Sequence, residues 1–247
     1  MRQDYPNWLV EQKYAENTQA AQLHRVKKVE ESYGDLDDRF KNGTYQDVIN
    51  DLQYSASDEK RDRPNPSRIK FDGNIRNNLQ SYKNAVVRYQ KFLNEKDFQN
   101  PLFKNGGTLE SSGPFLTEGI IEQKQQRFSL ERDMQAALRQ NIESLDPSFK
   151  IIDDGAERAV NSGFIDITCE DNEAIVVVEL KAGTADNRAI GQILGYMGDL
   201  SSEESGRKIK GILIAHDFDY RTKAAARVVP SLALKRYSIE FKFVGAD

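Results

Sequence analysis

Asp166, Glu179 and Lys181 are the residues of this 247-residue chain whose types and spacing point to chemistry. Residues 164–169 alternate apolar and polar side chains, and residues 174–180 form an apolar run broken only by Glu179. The pattern predicts two strands joined at the EDNE turn of residues 170–173, a hairpin. Alternate side chains of a strand share a face, so Phe164, Asp166 and Thr168 lie together on the first strand and Val177, Glu179 and Lys181 on the second. One face then carries two carboxylates and a lysine. Inside an apolar hairpin each charge costs several kcal/mol unless it is paired or metal-bound. A divalent metal held by Asp166 and Glu179, with the Leu180 carbonyl nearby, keeps both carboxylates ionised. Lys181 is then placed to orient or deprotonate a water, or to meet charge developing on an attacked phosphate. The alternative is a Glu179–Lys181 ion pair at a strand end, with Asp166 a solvated face residue.

The elements around this hairpin follow from local pattern. A helix capped by Ser129 runs to about residue 142 with Leu130, Met134 and Leu138 on its apolar side, and residues 149–152 make a first strand. After the hairpin come a helix over 185–200, a buried strand over 211–215, a helix around 220–228 and a last strand over 238–243. The order αβββαβαβ predicts a mixed sheet flanked by helices.

The N-terminal half reads differently. Trp8, Leu9 and Val10 open a short helix; Asn17 and Thr18 precede a longer one carrying Ala21, Val26 and Val29, which Gly34 ends. Thr44 caps a helix with Val48, Ile49 and Leu52. Gly73 or Asn74 precedes a long helix on which Ile75, Leu79, Tyr82, Val86, Tyr89 and Leu93 recur at three- and four-residue steps. Pro64 and Pro66, with Asn65, Ser67, Asp72 and Gly73, mark an ordered loop before it. Residues 99–127, rich in Gly, Ser, Thr and Pro, read as a linker between a helical unit, 1–98, and an α/β unit, 128–247.

Composition narrows the class: 38% hydrophobic and 30% charged residues describe a globular but polar chain. The single cysteine, Cys169, excludes an internal disulfide and sits among Ile165 and Ile167 as a core residue. The opening MRQDYPNWLV has neither a signal-peptide layout nor a membrane span, so a soluble, cytoplasmic protein is expected. His24 and His216 are isolated and read as structural. The net charge is -4, yet residues 60–96 contain ten basic side chains against three acidic ones, a local +7 of the kind that attracts a phosphate backbone. Arg68, Lys70, Arg76, Lys83 and Arg88 are the candidate nucleic-acid contacts; the alternative is a set of solvated charges.

Asp166, then Glu179-Leu180-Lys181, then Gln192 and Tyr196 resemble the D, E-x-K and Q-x-x-x-Y signature of PD-(D/E)XK nucleases. The run GFIDITCEDNEAIVVVELKAGTADNRAIGQILGYMGDL is similar to the C-terminal nuclease domain of the NucS type, with the likeness extending over residues 128–243. The resemblance implies an α/β restriction-endonuclease-like domain behind an all-α N-terminal domain. It implies a Mg2+-dependent endodeoxyribonuclease, with Mn2+ as a substitute, in DNA repair, restriction or phage defence. Gln192 and Tyr196, four apart on one helix face, would position the attacking water. Glu131, on a helix resembling the first helix of NucS-like proteins, would be a fourth acidic member, although the helix dipole alone also favours a first-turn glutamate.

The run WLVEQKYAENTQAAQLHRVKKVEESYG resembles the opening of the SAM-like domain with which tyrosine recombinases clasp DNA; the recombinase catalytic constellation is absent, which implies grip without strand exchange. NucS-like proteins carry a β-rich DNA-binding and dimerising half where this chain has helices, so substrate structure and homodimerisation stay open. The opposing function class is a non-catalytic nucleic-acid-binding module that keeps the fold.

Overall fold

A computed structural model describes residues 1–99 and 118–239. The N-terminal half is helical throughout: α1 (Tyr5–Glu11), α2 (Glu16–Tyr33), α3 (Leu36–Lys41), α4 (Tyr45–Asp51), α5 (Ala56–Lys60) and α6 (Ile75–Gln99). The last of these is the central element, packing against all five others. Its predicted stripe is buried at Leu79, Tyr82, Val86, Tyr89 and Leu93, against Tyr5, Trp8, Leu9, Val26 and Val29. The Asn74 side chain accepts from the Asn77 N–H at 2.8 Å and so starts α6 as expected.

Other caps differ from expectation. Thr44 stands at the N-cap of α4 without a side-chain capping bond, and α2 begins at Glu16, which places Asn17 and Thr18 inside its first turn. Gly34 does end α2, with φ +84°, a conformation that glycine adopts without a Cβ penalty.

The C-terminal half is a five-stranded mixed sheet in the order β1-β4-β5-β6-β7, formed by β1 (Lys150–Ile151), β4 (Ile167–Glu170), β5 (Ala174–Ala185), β6 (Lys208–Phe218) and β7 (Leu232–Arg236). The first two pairings are antiparallel and the last two parallel. α7 (Glu118–Gln140) covers one face of the sheet, and α8 (Asn187–Glu203) with α9 (Tyr220–Ala226) covers the other. β5 is buried on both faces, which is why it reads as a continuous apolar run: Val176, Val178 and Leu180 face the α7 side, Ile175 and Val177 the α8 side.

Three expectations are corrected, and one strand is added. The first strand of the predicted hairpin is broken at Asp166: β3 (Gly163–Ile165) leaves the sheet and pairs with β2 (Arg158–Val160) as a separate ribbon, and only β4 pairs with β5. The alternation runs unbroken through Asp166, so the pattern carries no trace of the break. β7 (Leu232–Arg236) is a strand that the sequence pattern did not predict and the last among the described residues; of the strand expected over 238–243, residues 240–243 lie outside the described residues. Ser129 lies inside α7 and caps nothing, because that helix begins at Glu118. Part of the segment read as a linker is therefore helical, while residues 100–117 lie outside the described residues.

The two halves are docked together. Gly155 at φ +77° approaches α2 so closely that a Cβ there would lie 2.9 Å from Thr18 Oγ1. The Asn84 side-chain oxygen accepts from the Ala159 N–H at 3.0 Å, joining α6 to β2. Among the described residues, no helix is long and apolar enough to cross a membrane.

Candidate active site

The break at Asp166 creates the site. The register ends at Ile167↔Val178, one residue short of Asp166 and Glu179, and the two carboxylates lie close enough for the Asp166 charge to act on Glu179. Because β4 starts only at Ile167, the edge of β5 beyond Val178 loses its antiparallel partner, and its backbone N–H groups need other acceptors. Asp166 Oδ2 accepts from the Leu180 N–H at 2.8 Å, and Glu131 Oε1, reaching over from α7, accepts from the Ala182 N–H at 2.9 Å. Two carboxylates thus replace the missing strand. In a strand a residue's N–H and C=O point to the same edge, so the Leu180 carbonyl faces the same edge as its N–H, which Asp166 accepts. The Asp166 carbonyl is held in turn by Gln135 Nε2 at 2.6 Å and by Arg139, whose guanidinium also grips buried Asp153 at 2.6 and 3.0 Å.

Glu179 is 1% exposed; its Oε1 accepts from Lys181 Nζ at 2.7 Å, while its Oε2 is buried with no partner. The Glu179–Lys181 ion pair of the alternative reading therefore exists, but Asp166 is not solvated as that reading had it, and the pair leaves half of the glutamate unsatisfied. Burial pushes the Asp166 carboxyl up to about 6, against the opposing pull of the Leu180 N–H and Lys181. Burial and the neighbouring Asp166 charge hold Glu179 well above the ordinary carboxylate range. Burial works against the Lys181 charge, but Glu179 and then Asp166 outweigh it and raise its pKa. A buried carboxylate oxygen without a donor, near a second carboxylate and one lysine, is a donor set that fits a small divalent cation.

Gln192 and Tyr196 do share a face of α8, where Gln192 Nε2 donates to Tyr196 Oη at 2.8 Å. Tyr196 is 4% exposed and packs beneath β3, where a Cβ on Gly163 would come within 3.1 Å of its hydroxyl oxygen. Burial raises the phenol above its ordinary value, with Glu179 and Asp166 adding to the effect, so the hydroxyl stays protonated near the carboxylates.

A cleft of about 370 Å³ opens beside Asp166 and Glu131, lined also by Gln135, Arg132 and Glu157 of the α/β half and by Gln12, Lys91 and Glu95 of the helical half. Sequence reasoning missed Lys91, Gln135 and Glu157. The one available signal was the basic charge of α6, which was assigned to DNA.

That assignment needs correction for Lys83 and Arg88. Lys83 is 5% and Arg88 1% exposed, so neither reaches a phosphate. Lys83 Nζ binds Glu203 at 3.1 Å; Arg88 donates to the Glu157 carbonyl at 2.6 Å and to Tyr14 Oη at 3.1 Å. Arg76 pairs with Glu204 and with Glu59. Burial alone would raise Glu157, but the Arg88 and Lys91 charges and the Tyr14 hydroxyl hold it below the usual glutamate value. The basic flank of α6 is thus the docking surface for the acidic side of the other half. Arg68 and Lys70 remain exposed, with the Arg68 guanidinium 5.2 Å from the Tyr33 ring centroid.

A second acidic trio, Glu30, Asp35 and Asp37, brings its oxygens within 4.8 Å of one another in the helical half. The Met1 ammonium lies 2.6, 3.6 and 3.8 Å from them and supplies the balancing charge. Cys169 is a core residue, as expected, its thiol pushed up to about 12 by burial.

Comparison with known proteins bears on the α/β half. Residues 130–241 match the family of the Endonuclease NucS C-terminal domain. Over 111 residues the chain is 32% identical to Endonuclease NucS of Pyrococcus furiosus, a match covering 44% of this chain and 39% of that one; the chain spans about two fifths of the curated relative it matches. Among solved structures, a repair endonuclease from Pyrococcus abyssi is 28% identical, with 42% of this chain and 45% of that one covered and a TM-score of 0.38. The EndoMS–dsDNA2 complex is 27% identical, with 44% of each chain covered and a TM-score of 0.39.

Proposed function

We propose that this chain, whose residues 130–241 form a domain of the Endonuclease NucS C-terminal type, is a divalent-metal-dependent endonuclease that hydrolyses phosphodiester bonds in DNA. The observation that carries the reading is the buried, unpartnered Oε2 of Glu179 near Asp166, on the strand edge that β4 vacates. Asp166, Glu179 and the Leu180 carbonyl are the residues to hold the ion. Mg2+, or Mn2+ in its place, supplies Lewis-acid activation of water and phosphate when bound.

The protein's own residues do the remainder. The Leu180 N–H fixes the Asp166 carboxylate, and the Gln135 amide and Arg139 guanidinium fix its carbonyl, so the group is held from both ends. Lys181, tethered to Glu179, carries its positive charge to where negative charge develops on the attacked phosphate, and orients the water. Tyr196 and Gln192 form a hydrogen-bonded pair beneath the site that positions the water or a phosphate oxygen. Glu131 holds the β5 edge and, through it, the Asp166–Glu179 spacing. The helical half adds a wall to the cleft and presents exposed Arg68 and Lys70 to the DNA backbone.

The test is nicking of supercoiled plasmid and of branched, mismatched and single-stranded DNA with Mg2+, Mn2+ or EDTA. Cleavage that needs metal and disappears in Glu179→Ala supports the reading. Binding with no cleavage of any substrate would instead identify a binding module that keeps the nuclease fold. Lys181→Ala should retain binding and lose turnover by about 10²–10⁴-fold, the range for electrostatic and acid–base groups.

A further inference from the structure

The cleft beside Asp166 contains four carboxylates, each with a donor of its own. Asp166 and Glu131 take the Leu180 and Ala182 N–H groups, Glu95 takes Trp8 Nε1 at 2.7 Å, and Glu157 takes Tyr14 and Arg88. Of the two cations lining the cleft, Arg132 donates to the Glu11 carbonyl and to Gln12, both at 3.2 Å. The other, Lys91, has no ion pair within 4.0 Å among the described residues. Its ammonium rests 5.3 Å from the ring centroid of Phe164 in β3, two residues before Asp166. Lys91 is half-buried and belongs to α6, outside the part of the chain that matches a known family.

An ammonium held over an aromatic ring and facing the cleft, its charge helping to lower Glu157 but no carboxylate within 4.0 Å of it among the described residues, can take an incoming anion as a direct partner. The cleft also contains the proposed catalytic carboxylates, and the anion that must come close to them is a phosphodiester. We propose that Lys91, contributed by the helical half, binds a backbone phosphate of the DNA strand that lies in the cleft beside Asp166 and so sets which phosphodiester is presented to the carboxylates. This rests on the nuclease reading above for its account of what the carboxylates do, but the phosphate contact is measurable without cleavage.

The experiment uses the full chain. Lys91→Met keeps the aliphatic stem over Phe164 and removes the charge; Lys91→Arg keeps the charge. Lys208→Met is the control, since Lys208 is exposed and pairs in register with Ala174, at the end of β5 away from Lys181. Binding of a fluorescein-labelled DNA duplex and of its single strand is titrated in EDTA over a range of salt concentrations, with thermal melting in parallel. Lys91→Met should raise Kd on the order of tenfold at low salt and reduce the log–log salt slope by roughly one, while Lys91→Arg restores most of both. Lys208→Met should do neither, and all three should melt like the wild type. With Mg2+ present, Lys91→Met should raise KM more than it lowers kcat.

A wild-type Kd and salt slope in Lys91→Met, or an equal loss in Lys208→Met, overturns the proposal. So does a lowered melting temperature with an unchanged slope, which would make Lys91 a structural charge. Wild-type protein that cleaves while Lys91→Met binds normally leaves the nuclease reading standing and removes Lys91 from it. Wild-type protein that binds but never cleaves, with the Lys91 effect present, keeps the phosphate site and refutes the nuclease reading. Protein that neither binds nor cleaves DNA overturns both.

Discussion

Replacing Asp166 by asparagine should abolish metal-dependent cleavage and at the same time stabilise the metal-free protein. The carboxyl of Asp166 is pushed from 3.8 up to about 6 by burial. Below pH of about 4 both the folded and the unfolded chain carry the proton, and folding is not penalised. As pH rises from there toward about 6 the unfolded chain ionises first, so the folded state is progressively disfavoured; above about 6 the penalty is complete. A rise of about two pH units corresponds to ~3 kcal/mol, and water entry with local relaxation brings the expected value to ~1–3 kcal/mol. Asparagine keeps an oxygen that can accept the Leu180 N–H, and it relieves the repulsion on Glu179, so the gain is not offset by a lost hydrogen bond. For a chain of this size that gain is a rise in melting temperature of about 3–9 °C. The assay is thermal melting in EDTA from about pH 4 to pH 8, for wild type and Asp166→Asn. The difference should be largest at pH 8 and close at pH 4, and adding Mg2+ should raise the wild-type melting temperature while leaving the variant unchanged. A variant that melts at or below the wild type in EDTA at pH 8 would refute the account of these carboxylates as a strained, cation-receptive pair.

Two further outcomes follow from the same geometry. Arg88→Met leaves Glu157 charged and largely shielded between the two halves, so it should lose about 3 kcal/mol, the low end for a broken buried pair, in urea denaturation, with Arg88→Met/Glu157→Gln recovering much of the loss; a single-variant loss below about 1 kcal/mol would mean that the pair does not hold the halves together. Protons and metal compete for Asp166, so the Mg2+ concentration for half-maximal cleavage should rise as pH falls below about 6, approaching tenfold per pH unit; a requirement independent of pH between 5 and 7 would remove Asp166 from the ligand set.

What the sequence by itself determined is the set of properties with a short period. Alternation in 164–169 and 174–180 placed Asp166, Glu179 and Lys181 on one face, and in the fold the charges of Asp166 and Lys181 both act on Glu179. Three- and four-residue spacing identified the buried stripe of α6, and four-residue spacing the Gln192–Tyr196 pair. These are legible because the side chain's direction follows from its own backbone and near neighbours.

The tertiary structure alone decided the rest, because it depends on partners distant in sequence. Alternation cannot say which partner a strand has, so the departure of β3 at Asp166 was hidden, and with it the vacated edge of β5 that Asp166 and Glu131 fill. β7, Leu232–Arg236, has no apolar run to announce it, and its place as a strand is made by its parallel register with β6. The charge of α6 looked like a phosphate-binding surface because its acidic partners are far along the chain: Glu157 lies 69 residues beyond Arg88, and Glu203 lies 120 beyond Lys83. Local charge shows how much a segment can attract, whereas packing decides whether the attracted partner is the other half of the protein or the solvent-exposed backbone of a nucleic acid.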